Sequence, residues 1–375
     1  MAVWLVALRH KGVDLMAAGP TRILFGSAHP YLPQLHGGAQ SSTHELVTRL
    51  RGLGYPVAVL AGLTGEGWTG LRARIGLKLG RPFVRDDTMG YPVYRAWFAQ
   101  TAAAAAVRDF GADVAIFQSG FPARLARAID RDRVRTFIYL RNVEYDDLGG
   151  TLKDLAGTRF IANSQFTARH FAHSDGIEAD VILPMIEPGR YRVASSRGNV
   201  TFINPHAHKG VDVALAIAKR CPDIPFVFIK AWKLSPDDDA ALRAAVGALP
   251  NVTLQGPVRD MRPVYAEAAI ILAPSRWNEA FGRIAAEAHV SGIPVVGSNR
   301  GGLPEAIGPG GVILDPDGPI EPWVAAITRL WTDRAHYDAV SAAARNYAMR
   351  PEMDSDAQIA ALIKIIGARA QPERP

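Results

Sequence analysis

Cysteine is almost missing from this chain: Cys221 is the only one in 375 residues. A disulfide framework within the chain is therefore excluded, and a cysteine-based metal site is disfavoured. Cys221 ends a helical run just before Pro222, where simple packing accounts for it. Long apolar runs are also lacking. The stretch Met1–Leu8 is apolar but too short to span a bilayer. It has no basic segment before it, as a signal peptide would, and Arg9, His10, Lys11 and Asp14 break it. Residues 1–20 read as an N-terminal extension, and the default expectation is a cytoplasmic protein. No block of one charge sign is present either. The net charge of +6 is spread through many arginines. That surplus suits phosphate-bearing ligands and is compatible with weak association with anionic membrane surfaces. Without an aromatic–basic module it does not select nucleic acid.

What is present points to a globular α/β protein. Hydrophobic residues make up 48% and charged residues 21%, which argues against disorder. The length suggests two or three domains. Strand patterns at 22–26, 57–61, 113–117, 136–140, 159–162 and 181–183 alternate with helical runs at 40–53, 97–110 and 164–172. The pattern then repeats. Strands at 200–203, 226–229, 252–254, 269–273, 294–297 and 312–314 alternate with helices at 210–220, 236–248, 260–267 and 282–291. Such alternation predicts parallel sheets covered by helices. Pro184, Pro188, Gly189 and then Ser195–Gly198 mark a linker. The expectation is two Rossmann-like, doubly wound domains facing a cleft, at 21–190 and 198–350, with 351–375 as a final helix and tail.

The segment 270–294 carries the most chemical information. Ile270–Ser275 reads as a buried strand, Ile284–Ser291 as a helix, and Gly292 with Pro294 as its stop. Between them Glu279 and Glu287 lie eight residues apart. Glu279 falls on the loop and Glu287 inside the helix, with the amides of Phe281, Gly282 and Arg283 free at the helix start. Such a turn suits a sugar nucleotide, whose diphosphate would meet the amides while the carboxylates accept hydroxyl hydrogen bonds. The plain alternative is a solvated helix face. Gly37-Gly38 precedes another helix and allows close backbone approach, or is an ordinary turn. Asp237-Asp238-Asp239 reads as the acidic first turn of a helix, and Asp260 as an N-cap. The pair His206 and His208 lacks a third ligand nearby, so no metal site is expected.

Glu279–Glu287 resembles the E-x7-E signature of the retaining nucleotide-sugar glycosyltransferases, in particular glycosyltransferase family 4. Gly37-Gly38-Ala39-Gln40, Ile161-Ala162-Asn163-Ser164, Lys209-Gly210-Val211-Asp212, Pro274-Ser275 and Gly301-Gly302-Leu303-Pro304-Glu305 follow in that family's order. The resemblance spans about residues 21–315 and implies the GT-B architecture, with the last helix, 354–367, crossing back to the first domain. It implies that Glu279 orients the donor sugar and Glu287 binds the ribose. Lys209 and the amides at 281–283 (Phe281, Gly282, Arg283) would stabilise the departing diphosphate, with Ala280 also on the donor side. Gly38 would lie near the diphosphate or acceptor, and Val258 and Arg259 near the base. Where the family commonly has an arginine this chain has Asn204, so further cations are expected from Lys230, Lys233 or Arg283. The family's histidine after the strand ending at Leu140 is absent. Arg141 and Asn142 stand there instead, as candidate contacts to donor sugar or phosphate. His36, Gln40 and Glu144 are candidates for the acceptor side. No general base is assigned, since in the family the leaving group itself takes the acceptor proton.

The implied reaction transfers a sugar from a nucleotide-sugar donor, UDP- or GDP-linked, to a hydroxyl on a small-molecule, glycan or lipid-linked acceptor, without metal or other cofactor. The rival readings are a sugar-nucleotide 2-epimerase and a non-catalytic sugar-nucleotide binder. Residues 62–96 read as an acceptor-side insertion, and the Ala-, Arg- and Gly-rich composition suggests a bacterial source.

Overall fold

A computed structural model describes residues 19–368 except Leu79. The N-terminal extension lies outside the described residues for all but its last two positions. Among the described residues fourteen strands form two sheets. The first sheet contains β1 (Ile23–Pro30), β2 (Val57–Gly62), β3 (Val84–Asp86), β4 (Val93–Ala96), β5 (Val114–Gln118), β6 (Arg135–Leu140), β7 (Thr158–Ala162) and β8 (Ala179–Val181). The second contains β9 (Asn199–Ile203), β10 (Phe226–Ile229), β11 (Val252–Gln255), β12 (Ala268–Ala273), β13 (Val295–Ser298) and β14 (Gly311–Leu314). The helices in the first half are α1 (Gly38–Gly52), α2 (Gly67–Lys78), α3 (Ala99–Phe110), α4 (Pro122–Arg127), α5 (Tyr145–Leu148) and α6 (Gln165–Asp175). Those in the second are α7 (Val211–Arg220), α8 (Pro236–Gly247), α9 (Arg262–Glu267), α10 (Arg283–His289), α11 (Leu303–Ile307), α12 (Glu321–Thr332), α13 (Arg334–Ala348) and α14 (Ser355–Ile366).

The strand orders are β3-β4-β2-β1-β5-β6-β7-β8 and β11-β10-β9-β12-β13-β14. Each sheet reverses its winding beside its first strand, between β1 and β5 and between β9 and β12. Ligand crevices open at the carboxyl ends of such switch points. The central strands are apolar on both faces because helices cover both. Leu24 packs to one side of β1 while Ile23 and Phe25 pack to the other.

The expected alternation is present, with several differences. Strand β3 is antiparallel to β4, so the first sheet is not wholly parallel. Residues 62–96, read as an insertion, supply α2, β3 and β4. The pattern of β4 is hidden by Arg95, which is 1% exposed, pairs with Asp86 and donates to Leu32 O at 2.6 Å. Helix α10 is shorter than 282–291, because Ser291 and Gly292 already form a turn, with Gly292 at φ +70°. Helix α9 begins at Arg262 with Met261 as its cap, so Asp260 is not the N-cap; its carboxylate still accepts from Arg262 N at 3.0 Å. Among the described residues no helix is long and apolar enough to cross a membrane.

The chain returns to the first domain through α14. Ile359, Leu362 and Ile366 join the core around Phe25, Val47 and Leu50. Arg135 donates to Ile366 O at 2.6 Å and Arg159 to Ile365 O at 2.8 Å, satisfying carbonyls at the end of the helix. Arg49 of α1 pairs with Asp356 at its start. Truncating Leu362, 1% exposed, to alanine is expected to cost about 2–5 kcal/mol. Urea denaturation checks this, and a loss well under that range would mean that α14 is not integral to the first core.

Candidate active site

Strands β9 and β12 are neighbours, so their carboxyl-end loops, Asn204–Lys209 and Pro274–Glu279, emerge side by side. Two glycines bring the backbones together. A Cβ on Gly210, at φ +75°, would lie 2.0 Å from Pro274 O, and one on Gly301, at φ +62°, would lie 2.2 Å from Glu279 O. Only glycine fits at either position. The carbonyl of His208 accepts from Arg276 N and Trp277 N, at 3.0 and 3.2 Å.

This framework places Lys209 Nζ 2.5 Å from Glu279 Oε1, to which Ser275 Oγ also donates at 2.6 Å. The Lys209 ammonium lies 5.1 Å from the Trp232 ring and 5.2 Å from that of Trp277, within cation–π range. His208 stacks on Trp277 and His206 lies against His208 and Trp232. The two histidines thus belong to an aromatic cluster around the lysine.

A cavity of about 190 Å³ lies between the domains. Gly38, Ala39, Ser42, Arg141, Asn142 and Glu144 line it from one side, and Trp277, Glu279, Ala280, Phe281, Gly282 and Arg283 from the other. Candidates remote in sequence therefore share one wall. Several hydrogen-bond donors in that wall have no partner. Arg141 Nη1 donates to Ala39 O at 3.1 Å, with the guanidinium over the Tyr139 ring. Arg141 Nε and Nη2, Ser42 Oγ and Trp277 Nε1 are buried and unsatisfied. Burial lowers the pKa of Arg141, and the nearby charge of Arg283 lowers it further. Unpaired buried donors are costly to leave without a partner.

The other candidates lie elsewhere. Lys230 pairs with Asp239. Val258 packs in a small cluster with Ile203, Ile229 and Ile284, and Arg259 and His36 are exposed. Gln40 is buried and donates to Pro30 O at 3.1 Å. Asn204 sits at φ 60°, a conformation asparagine tolerates better than most side chains, and its Oδ1 accepts from Trp232 N at 2.9 Å.

Glu287 is 7% exposed. Its oxygens accept from Arg283 Nε at 2.6 Å and Tyr265 Oη at 2.7 Å. Arg283 reaches across to the first domain, where Nη2 lies 3.1 Å from both oxygens of Glu45 on α1. It also donates to Tyr191 Oη at 2.7 Å and Met185 O at 2.9 Å. Burial opposes the Arg283 charge, but Glu287, Glu45 and Tyr191 outweigh it and its pKa is raised. Burial pushes the Glu45 carboxyl upward, against the pull of Arg283 and Arg190. Further contacts bridge the domains: Ser164 Oγ donates to Ala280 O at 2.5 Å, and Glu305 accepts from Gln165 N and Phe166 N.

Glu45, Ser42, Trp277 and Tyr191 escape sequence reading because nothing in their local pattern separates them from ordinary helix or loop residues. A second unexpected feature is His29 at the carboxyl end of β1, whose Nε2 lies 2.9 Å from Asp147 Oδ1. Asp147 Oδ2 accepts from Gly120 N at 2.9 Å and Asn142 Nδ2 at 2.6 Å. The hydrogen bond to Asp147 raises the His29 pKa against the effect of burial. Its position at a strand's carboxyl end was the available signal.

Comparison with known proteins agrees with this architecture. Residues 199–333 match the family model described as glycosyl transferases group 1. The D-inositol 3-phosphate glycosyltransferase of Segniliparus rotundus is 30% identical over 199 residues, covering 46% of this chain and 44% of that protein. That of Corynebacterium kroppenstedtii is 33% identical over 123 residues, covering 32% and 27%. The chain thus spans less than half the length of these curated relatives. Among solved structures, Anabaena Alr3699/HepE in complex with UDP and glucose superposes with a TM-score of 0.74 at 18% identity, covering 92% of this chain and 99% of that one. A glycosyltransferase from Rickettsia africae gives 0.73 at 15%, covering 92% and 98%. The fold of the chain is GT-B: two parallel-sheet α/β domains facing a cleft.

Two outcomes test the site's electrostatics. Arg283→Met would leave two buried carboxylates without their shared partner, at a cost of about 3–5 kcal/mol. Part of this should return in the Arg283→Met/Glu45→Gln double variant. Urea melts showing no loss would remove the network from any structural role. The His29 imidazole, followed by NMR, should titrate above its ordinary 6.5, and its midpoint should fall in Asp147→Asn. An unchanged midpoint would mean that the pair does not form in solution.

Proposed function

We propose that this chain is a retaining glycosyltransferase that moves a sugar from a nucleotide-sugar donor to an acceptor hydroxyl. Its acceptor side would lie in residues 21–190 and its donor side in 198–350. One observation carries the reading: Glu279, held by Lys209, and unsatisfied donors from both domains converge at the interdomain cavity. Such a wall calls for a ligand rich in hydroxyl and anionic oxygens.

In this reading Glu279 accepts hydrogen bonds from the sugar and holds the ring. Lys209, already beside it, shifts toward the diphosphate as negative charge develops on the leaving oxygen. Arg141 offers its free N–H groups to donor sugar or phosphate. Helix α10 has only seven residues, so its dipole adds less than the lysine and arginine. Glu287 keeps a second lone pair on each oxygen for the ribose hydroxyls. The base would sit beside Val258 and Arg259. The acceptor oxygen attacks the anomeric carbon from the face that the diphosphate leaves, and a diphosphate oxygen takes its proton. No metal or other cofactor enters this scheme.

The cavity is smaller than the ~300–1,000 Å³ of ordinary ligand sites. Donor entry would therefore part the domains at the Ser164–Ala280 and Arg283–Glu45 contacts. UDP and glucose, named in the Anabaena structure, make UDP-glucose the first donor to try. The names of the curated relatives put inositol 3-phosphate first in the acceptor panel.

The test is a thermal-shift panel of UDP, GDP, ADP, TDP and CDP with their sugar conjugates, followed by an acceptor screen. A nucleotide at a hundred times its Kd should add about 2.7 kcal/mol of stability. Glu279→Gln should lower turnover by roughly 10²–10³-fold, the scale of losing one transition-state contact. The product's anomeric linkage, read by NMR, should match that of the donor. If no nucleotide stabilises the protein, the transferase reading falls. Release of an epimerised sugar nucleotide without acceptor would identify a 2-epimerase instead, and donor binding without turnover a non-catalytic binder.

A further inference from the structure

The arginines at 192, 197, 334 and 345 come from two separate stretches of sequence, yet they line one groove of about 680 Å³. It runs between the segment joining the domains and α13, away from the residues that line the interdomain cavity. Asp338 is the only carboxylate in its wall, and it is paired with Arg334 at 2.8 Å. Arg192, Arg197 and Arg345 form no ion pair among the described residues.

The arginines are held by specific local structure. Arg197 adopts φ 60° and its guanidinium lies 3.5 Å from the centre of the Tyr337 ring. The Tyr337 hydroxyl is fixed by donating to Ala269 O at 3.0 Å. A Cβ on Gly292, at φ +70°, would come within 2.5 Å of Arg345 Nε, so glycine makes room for that side chain. Burial raises the Tyr337 pKa, while Arg197, Arg345 and Arg334 each pull it down.

Like charges gathered in a concave wall focus the positive potential there. Guanidinium forks match phosphate oxygens in pairs, which lysines do not. We propose that this groove binds a phosphate-bearing ligand at a second site, separate from the interdomain cleft. The phosphate could be that of a soluble phosphorylated molecule or of a lipid headgroup, since the chemistry recognised is the same.

The experiment is calorimetric titration of the full chain with inorganic pyrophosphate at constant ionic strength. Wild type is compared with Arg192→Gln/Arg345→Gln and with Lys209→Ala. Both arginines are exposed, so the double variant should fold, and its melting curve checks that. Binding should weaken by about a hundredfold or more in the arginine variant, the loss of two charge-assisted hydrogen bonds, and persist in Lys209→Ala. Sedimentation with phosphatidylcholine vesicles, with and without phosphatidic acid, separates the sources. Arginine-dependent capture on the acidic vesicles supports a headgroup, and its absence beside intact pyrophosphate binding supports a soluble ligand. The proposal is overturned if pyrophosphate binding is lost in Lys209→Ala but not in the arginine variant, or if neither pyrophosphate nor vesicles bind. Loss confined to Lys209→Ala would place pyrophosphate in the interdomain cleft, whose own role the donor panel tests separately.

Discussion

Among the contacts that join the two domains, one guanidinium is shared by the most partners. Arg283 starts α10 of the second domain, but its fork is shared between Glu287 on its own helix and Glu45 on α1 of the first. All three side chains are largely withdrawn from water. Attraction between such charges is strong, but so is the cost of dehydrating them. The network is therefore poor evidence for high stability. Its consequence is geometric: the donors of Arg283 are satisfied only while α1, α10 and the segment around Met185 and Tyr191 stay together. In this way it sets the width of the cleft and the position of Glu287 at once.

The pairing of Lys209 with Glu279 has a similar double character. The ammonium and carboxylate satisfy each other, with Ser275 as a third partner. Two tryptophans keep water partly away from the ammonium. A donor entering between them would exchange one set of charge-assisted bonds for another. Arg141 differs: among the described residues it forms no ion pair, and its Nε and Nη2 are buried without a partner.

Much of the fold was legible from the chain alone. Runs such as Ile270–Ala273 and Val57–Ala61 are apolar throughout, because both faces of a parallel strand are covered. Strand β4 was not legible, because Arg95 interrupts it and its compensation by Asp86 and the Leu32 carbonyl comes from other elements. Helix α12 carries a readable Trp323, Ile327, Leu330 spacing that the reading left out. Of the proposed site, Lys209 and Glu279 were brought together by the family resemblance of their segments. Gly301 and Gly302 were seen as a motif, but their physical reason, close passage along the Glu279–Ala280 backbone, needed coordinates.

The sequence by itself determined the alternation of strands and helices, the two-domain plan, and the loops at which the acidic and basic side chains would appear. These follow from local periodicity and from turn residues, which act over a few positions. Tertiary structure alone decided which charges are left over. Lys230 is paired with Asp239, while Arg141 forms no ion pair among the described residues. Four arginines dispersed along the second half share a groove with a single carboxylate. Electrostatic pairing depends on distance through space, and residues 45 and 283, or 192 and 345, become neighbours only when both sheets have formed.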